Sequence, residues 1–150
     1  MTREQISTGD LPTSPDNAIK LLYVEDIKDV RQMVATMLPL MNEMLPNRTW
    51  PLIEVIEAEN GLAGVQMAKE HLPDIILMDL RMPKMSGTEA ALEIRKDPRT
   101  SHIPIIMITG FREEKVEEAA ARTGVERAIR KPIEWNELMN AIVELTNSRT

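Results

Sequence analysis

The sequence predicts an α/β domain built on a five-stranded parallel sheet, doubly wound, with a helix after each strand. Two observations carry this. Short apolar runs alternate five times with amphipathic segments at helical spacing. The central runs, such as Ile75-Ile76-Leu77-Met78, are apolar at consecutive positions, as a strand covered on both faces requires. Strict alternation of strand and helix implies parallel strands joined by right-handed crossovers.

The elements follow in order. Residues 1–18, rich in Thr, Ser, Gly, Pro and Asp, hold too little apolar surface to offset ordering and read as a flexible polar leader. Strands are expected at Ile19 to Val24, Leu52 to Ala58, Asp74 to Met78, Ile103 to Ile108 and Glu126 to Arg130. Helices are expected over 27–45, 61–71, 87–97, 112–123 and 134–147, leaving 148–150 as a tail. Val30, Met33, Val34, Met37, Leu38 and Met41 mark the first as a core-facing stripe; Trp135, Leu138, Met139, Ile142 and Leu145 mark the last. Asn60 and Ser86 read as N-caps, Ser86 with Glu89 in capping-box spacing, and Asp97-Pro98 stops the third helix. The 150 residues therefore read as one domain over 19–147.

Composition narrows the chemistry. With 24 acidic residues against 18 basic ones and a net charge of -6, a phosphate-binding surface for nucleic acid is not expected. The absence of Cys excludes disulfides, thiolate metal sites and thiol nucleophiles. No apolar run has the length of a membrane span or the form of a signal peptide, so a cytoplasmic protein without membrane contact is expected.

Ligands of doubly wound sheets bind beyond the carboxyl ends of the strands. Those ends read Val24-Glu25-Asp26, Met78-Asp79, Ile108-Thr109-Gly110 and Ile129-Arg130-Lys131-Pro132. An acid pair after a strand is commonly a helix cap, and a Lys-Pro commonly a turn. Their joint occurrence on four strand ends is not explained by capping. Three clustered carboxylates repel unless a cation lies among them, and an all-oxygen set without His or Cys suits a hard ion such as Mg²⁺, with Mn²⁺ as a substitute. Lys131 supplies a point charge for a phosphoryl oxygen and Thr109 a hydroxyl donor. His71 and His102 read as solvated surface groups, and Trp50 belongs to no predicted element.

The stretches LLYVEDIKDVRQMV, PDIILMDLRMPKMSGTEAALEIR, IPIIMITGF and AIRKPIEWNEL resemble the response-regulator receiver domains of two-component phosphorelay signalling, over Ile19 to about Asn147. The 30 residues from Asp79 to Thr109 and the 22 from Thr109 to Lys131 fit that family's spacing. The resemblance implies a flavodoxin-like strand order 2-1-3-4-5. It implies that Asp79 is the phosphoacceptor, taking a phosphoryl group from a histidine kinase or phosphotransfer protein in a Mg²⁺-dependent reaction. It further implies Mg²⁺ ligation by Asp26, Asp79 and the backbone carbonyl of Arg81, with Glu25 acting largely through water. Thr109 and Lys131 would contact the phosphoryl group and switch the surface toward a downstream protein, a homodimer being one possible assembly. Pro83 and Gly87 match the turn and helix start after the phosphoacceptor. The domain would be a signalling module that modifies only itself, not an enzyme in the usual sense.

Three alternatives carry less. A pseudo-receiver that is never phosphorylated conflicts with the full set of site residues. An aspartyl-nucleophile phosphatase needs a second Asp two residues beyond the nucleophile, where Arg81 stands. A dinucleotide site needs a Gly-rich loop after the first strand, and none follows. Two departures from the family remain. The 53 residues from Asp26 to Asp79 exceed the usual interval, the excess lying around PLMNEMLPNRTWP, where Pro39 and Pro46 should kink or end the helix. That insertion is expected to cover the sheet edge, contact a partner or form a longer surface loop. Ala128 replaces the aromatic residue usual three positions before Lys131, so a loop-centred switch involving Phe111 is expected.

Overall fold

The computed structural model describes residues 18–44, 50–110, 118 and 120–147. Five strands, β1 (Ile19–Val24), β2 (Ile53–Ala58), β3 (Ile75–Asp79), β4 (Ile105–Thr109) and β5 (Arg127–Arg130), form one sheet in the order β2-β1-β3-β4-β5. All pairings are parallel. The flavodoxin-like order and the doubly wound class are as expected; β1 has the predicted limits and those of the other strands lie within two residues of the predicted ones.

Side-chain alternation along the interior strands builds two cores. Leu21, Tyr23, Ile75, Leu77, Ile106 and Ile108 face one side with Val34 of α1 (Lys28–Met37) and Leu138, Met139 and Ile142 of the last helix, α4 (Trp135–Asn147). Leu22, Val24, Ile76, Met78, Ile105 and Met107 face the other side with Val65 and Ala68 of α2 (Gly61–His71) and Ala90, Ala91 and Ile94 of α3 (Gly87–Lys96). Every residue of β3 and β4 is buried, which is why their sequences are apolar without a break until the terminal Asp79 and Thr109.

The caps act as the sequence implies. Asn60 Oδ1 accepts from Ala63 N–H at 2.8 Å, and Ser86 and Glu89 close a reciprocal capping box. Asp97, held extended by the following Pro98, ends α3. Residues 120–123 are helical; the rest of the predicted fourth helix, apart from residue 118, lies outside the described residues, as do the leader up to residue 17 and the tail.

The predicted helix over 27–45 is a correction. It stops at Met37, passes through a 3₁₀ turn at Leu38–Leu40 and resumes for one turn at Met41–Met44. Pro39, near the start of the 3₁₀ turn, has no N–H for an α-helical bond. Met33, expected in the core stripe, is instead 51% exposed, whereas Leu38 and Met41 are buried. Trp50 is buried in the same core as Leu38, Met41 and Ile53, so the described part of the insertion belongs to the fold at the β2 edge and is not a loose loop. Pro46 lies outside the described residues. His71 and His102 are exposed. No described helix is long and apolar enough to cross a membrane.

Candidate functional site

The carboxyl ends of β1, β3, β4 and β5 open onto one cleft of about 320 Å³, lined by Asp26, Ile27, Asp79, Arg81, Thr109, Gly110 and Lys131. Parallel pairing makes this convergence unavoidable. Met78 lies beside Val24, Asp79 beside Ile108 and Thr109 beside Arg130, so residues ending each strand project from the same edge. Backbone bonds fix the edge further: Lys131 N–H donates to Thr109 O at 2.7 Å and Leu80 N–H to Ile108 O at 2.9 Å.

Asp79 is buried, as is Thr109. Lys131 Nζ lies 3.3 Å from Asp79 Oδ1 and 3.5 Å from Glu25 Oε1, forming the positive side of the cleft. Carboxylate oxygens of Glu25, Asp26 and Asp79 all fall within 4.8 Å of one another. Burial first, then the nearby Glu25 charge, pushes the Asp79 carboxyl up to about 6 against the pull of Lys131. Burial works to lower the Lys131 ammonium, but Asp79 and Glu25 outweigh it and hold it above its ordinary value. An acid held against its charged form beside two more acids is a site that a bound cation would relieve. The donors are oxygens alone, so the residues present fit a hard divalent ion.

Gly87 explains how α3 approaches this edge. Its N–H donates to Leu80 O at 2.8 Å, and a Cβ there would meet the Asp79 carbonyl oxygen at 2.4 Å. Only glycine lets the helix start against the backbone of Asp79. At Gly110 a Cβ would meet nothing within 4 Å among the described residues.

Glu25 differs from Asp26 in its surroundings. It is fully buried, with Oε1 accepting from the Tyr23 hydroxyl at 3.3 Å and Oε2 from Ile27 N–H at 3.1 Å. Arg31 donates to the Glu25 carbonyl at 2.8 Å and pairs with Glu57 at 3.2 Å. Sequence reasoning assigned no site role to Tyr23 or Arg31. The signal for Tyr23 was available: it carries the one hydroxyl in β1, and two-residue alternation sets it on the same side as Glu25. Ala128 is half-buried opposite Met107 and packs against the second core. Phe111 lies outside the described residues.

The profile of the response regulator receiver domain matches residues 21–143. The polar-differentiation response regulator DivK of Brucella anthropi is 41% identical over 80 residues, 53% of this chain and 65% of that protein. Histidine kinase P4 of Formosa agariphila is 28% identical over 149 residues, 99% of this chain and 11% of that protein. The chain thus spans less than two thirds of either relative. Among solved structures, the receiver domain of sensor histidine kinase PA1611 from Pseudomonas aeruginosa, with a magnesium ion coordinated in its active site cleft, superposes with a TM-score of 0.72 at 27% identity, covering 87% of this chain and 98% of that one. The cleft geometry, the strand order and the span of the match agree: the chain belongs to the response regulator receiver domain family of two-component signal transduction.

Proposed function

We propose that Asp79 accepts a phosphoryl group from a phosphohistidine in a kinase or phosphotransfer protein. The observation that carries this reading is the position of Lys131 Nζ, 3.3 Å from Asp79 Oδ1, on the rim of a cleft lined by Thr109, Asp26 and Asp79, with the third carboxylate, Glu25, buried beside them. An Asp79 carboxylate oxygen forms a bond to phosphorus while the bond from phosphorus to the donor imidazole nitrogen breaks, the electron pair staying with that nitrogen. Lys131 neutralises charge on the transferring oxygens, and the Thr109 hydroxyl is the donor that reports the arrival of the group.

Asp26, Asp79 and the Arg81 backbone carbonyl would hold Mg²⁺ or Mn²⁺, with Glu25 acting through water. When bound, the ion supplies charge neutralisation between acceptor and phosphoryl oxygens. The product is a labile mixed anhydride, which suits a timed signal passed to a downstream protein. The test is intact mass after acetyl phosphate and Mg²⁺. A gain of one phosphoryl group is expected, absent with EDTA and absent in Asp79→Asn. Labelling that persists in Asp79→Asn would relocate the acceptor and end this reading.

A further inference from the structure

We propose that Tyr23 is a positioning residue for the acidic cleft, its hydroxyl fixing the carboxylate of Glu25 so that Glu25 in turn sets Lys131 and the cation-binding edge. This rests on the phosphoacceptor reading above and goes beyond it by adding a residue on the buried side of the cleft.

The geometry is a relay of successive polar contacts. Tyr23 OH meets Glu25 Oε1 at 3.3 Å, the same oxygen lies 3.5 Å from Lys131 Nζ, and Lys131 Nζ lies 3.3 Å from Asp79 Oδ1. Oε2 is held separately by Ile27 N–H. Each oxygen of Glu25 therefore has a donor fixed by the fold, and rotation of the carboxylate would break both. The tyrosine cannot follow a moving partner: its ring is fully buried in the core between α1, α4 and the sheet. At 3.3 Å the contact is longer than the tightest hydroxyl–carboxylate bonds, so its contribution is orientation more than energy. Tyrosine in a strand interior buries its hydroxyl only where a partner exists, and Glu25 is that partner here.

A donor that orients an acid beside a metal site changes ion affinity without touching the ion, commonly by tenfold or more. Tyr23→Phe keeps the ring and its packing and deletes the oxygen alone. In calorimetric titration of the full chain with Mg²⁺, Tyr23→Phe is expected to weaken binding by about tenfold. The phosphorylation rate with acetyl phosphate should shift to higher Mg²⁺ and return to within about twofold of wild type at saturation, because the acceptor itself is untouched. Combined with Glu25→Gln, the Tyr23 substitution should add little, since the group it orients has already changed. A purely structural tyrosine would lower thermal stability and leave the Mg²⁺ dependence in place. If wild type binds Mg²⁺ and Tyr23→Phe binds it equally, or if the two substitutions add in full, the role of Tyr23 is overturned. If wild type itself binds no Mg²⁺, the phosphoacceptor reading falls and this proposal with it, a failure visible without any variant.

Discussion

Lys131 and Asp79 face one another across the cleft, Nζ to Oδ1 at 3.3 Å, with Asp79 buried and Lys131 partly open to solvent. The pair joins the ends of β3 and β5, which are not neighbours in the sheet; β4 lies between them. A side chain as long as lysine is needed to reach across.

Removing that charge should slow the reaction without abolishing it. For Lys131→Ala, phosphorylation by acetyl phosphate is expected to fall about ten- to a hundredfold, the equivalent of about 1.5 to 3 kcal/mol for a charged hydrogen bond. Rates from intact-mass time courses check this. An unchanged rate would make Lys131 a turn residue only.

The Asp79 carboxyl, raised from 3.8 to about 6, gives a pH dependence with a definite sign. Between those values the folded protein holds a proton that the unfolded chain has released. Stability from this group is therefore present at low pH and lost as pH rises through about 6, in the absence of metal. Asp79→Asn should accordingly stabilise the metal-free protein at pH 7 by about 1 to 3 kcal/mol and have little effect below pH 4. Thermal unfolding of both proteins in EDTA across this range measures the difference, in which titrating groups remote from the cleft cancel. A gap independent of pH would refute the account. Mg²⁺ binding to wild type should weaken on acidification through about 6, because proton and cation compete for one carboxylate.

Trp50 tests the insertion. Buried with Leu38, Met41 and Ile53, it ties the segment after α1 to the edge strand β2. Trp50→Ala should cost about 3 to 5 kcal/mol, as loss of a large buried ring does. Chemical denaturation measures it, and a cost below about 1 kcal/mol would assign Trp50 to the surface.

How much of this was legible in the sequence follows from which interactions are local. Asn60, Ser86 with Glu89, and Asp97-Pro98 act within four residues of themselves, so the helix ends they set could be read directly. The unbroken apolar run Ile75 to Met78 in β3 announced its two-sided burial, and parallel order then brought Asp79, Thr109 and Lys131 to one edge. Met33 and Met41 look alike as members of the apolar stripe at helical spacing, but Pro39 re-aims the chain between them and only Met41 is buried. The burial of Trp50 depends on contacts across the β2 edge, and the charge partner of Glu25 is an ammonium just past β5, far along the chain. Spacing along the chain does not encode such partners.

The switch is the last expectation. Ala128 lies opposite Met107 in the sheet, half-buried against the second core, and its methyl group has no ring to rotate between surface and interior. Thr109 is buried one residue before Gly110, at which a Cβ would meet no atom of the described residues within 4 Å, so the hydroxyl sits where a bound phosphoryl group could draw it. The population shift should therefore centre on the loop after β4. With beryllofluoride and Mg²⁺, amide chemical shifts should change most at Asp79, Thr109 and residues 110–114, and less at Ala128 and the start of α4. On the proposed reporting role, Thr109→Ala should still bind beryllofluoride at Asp79 while the change at Gly110 shrinks severalfold. Equally large changes across residues 126–138 would show that the β5 surface switches without an aromatic side chain. Loss of beryllofluoride binding in Thr109→Ala would instead move Thr109 from the response to the acceptor chemistry itself.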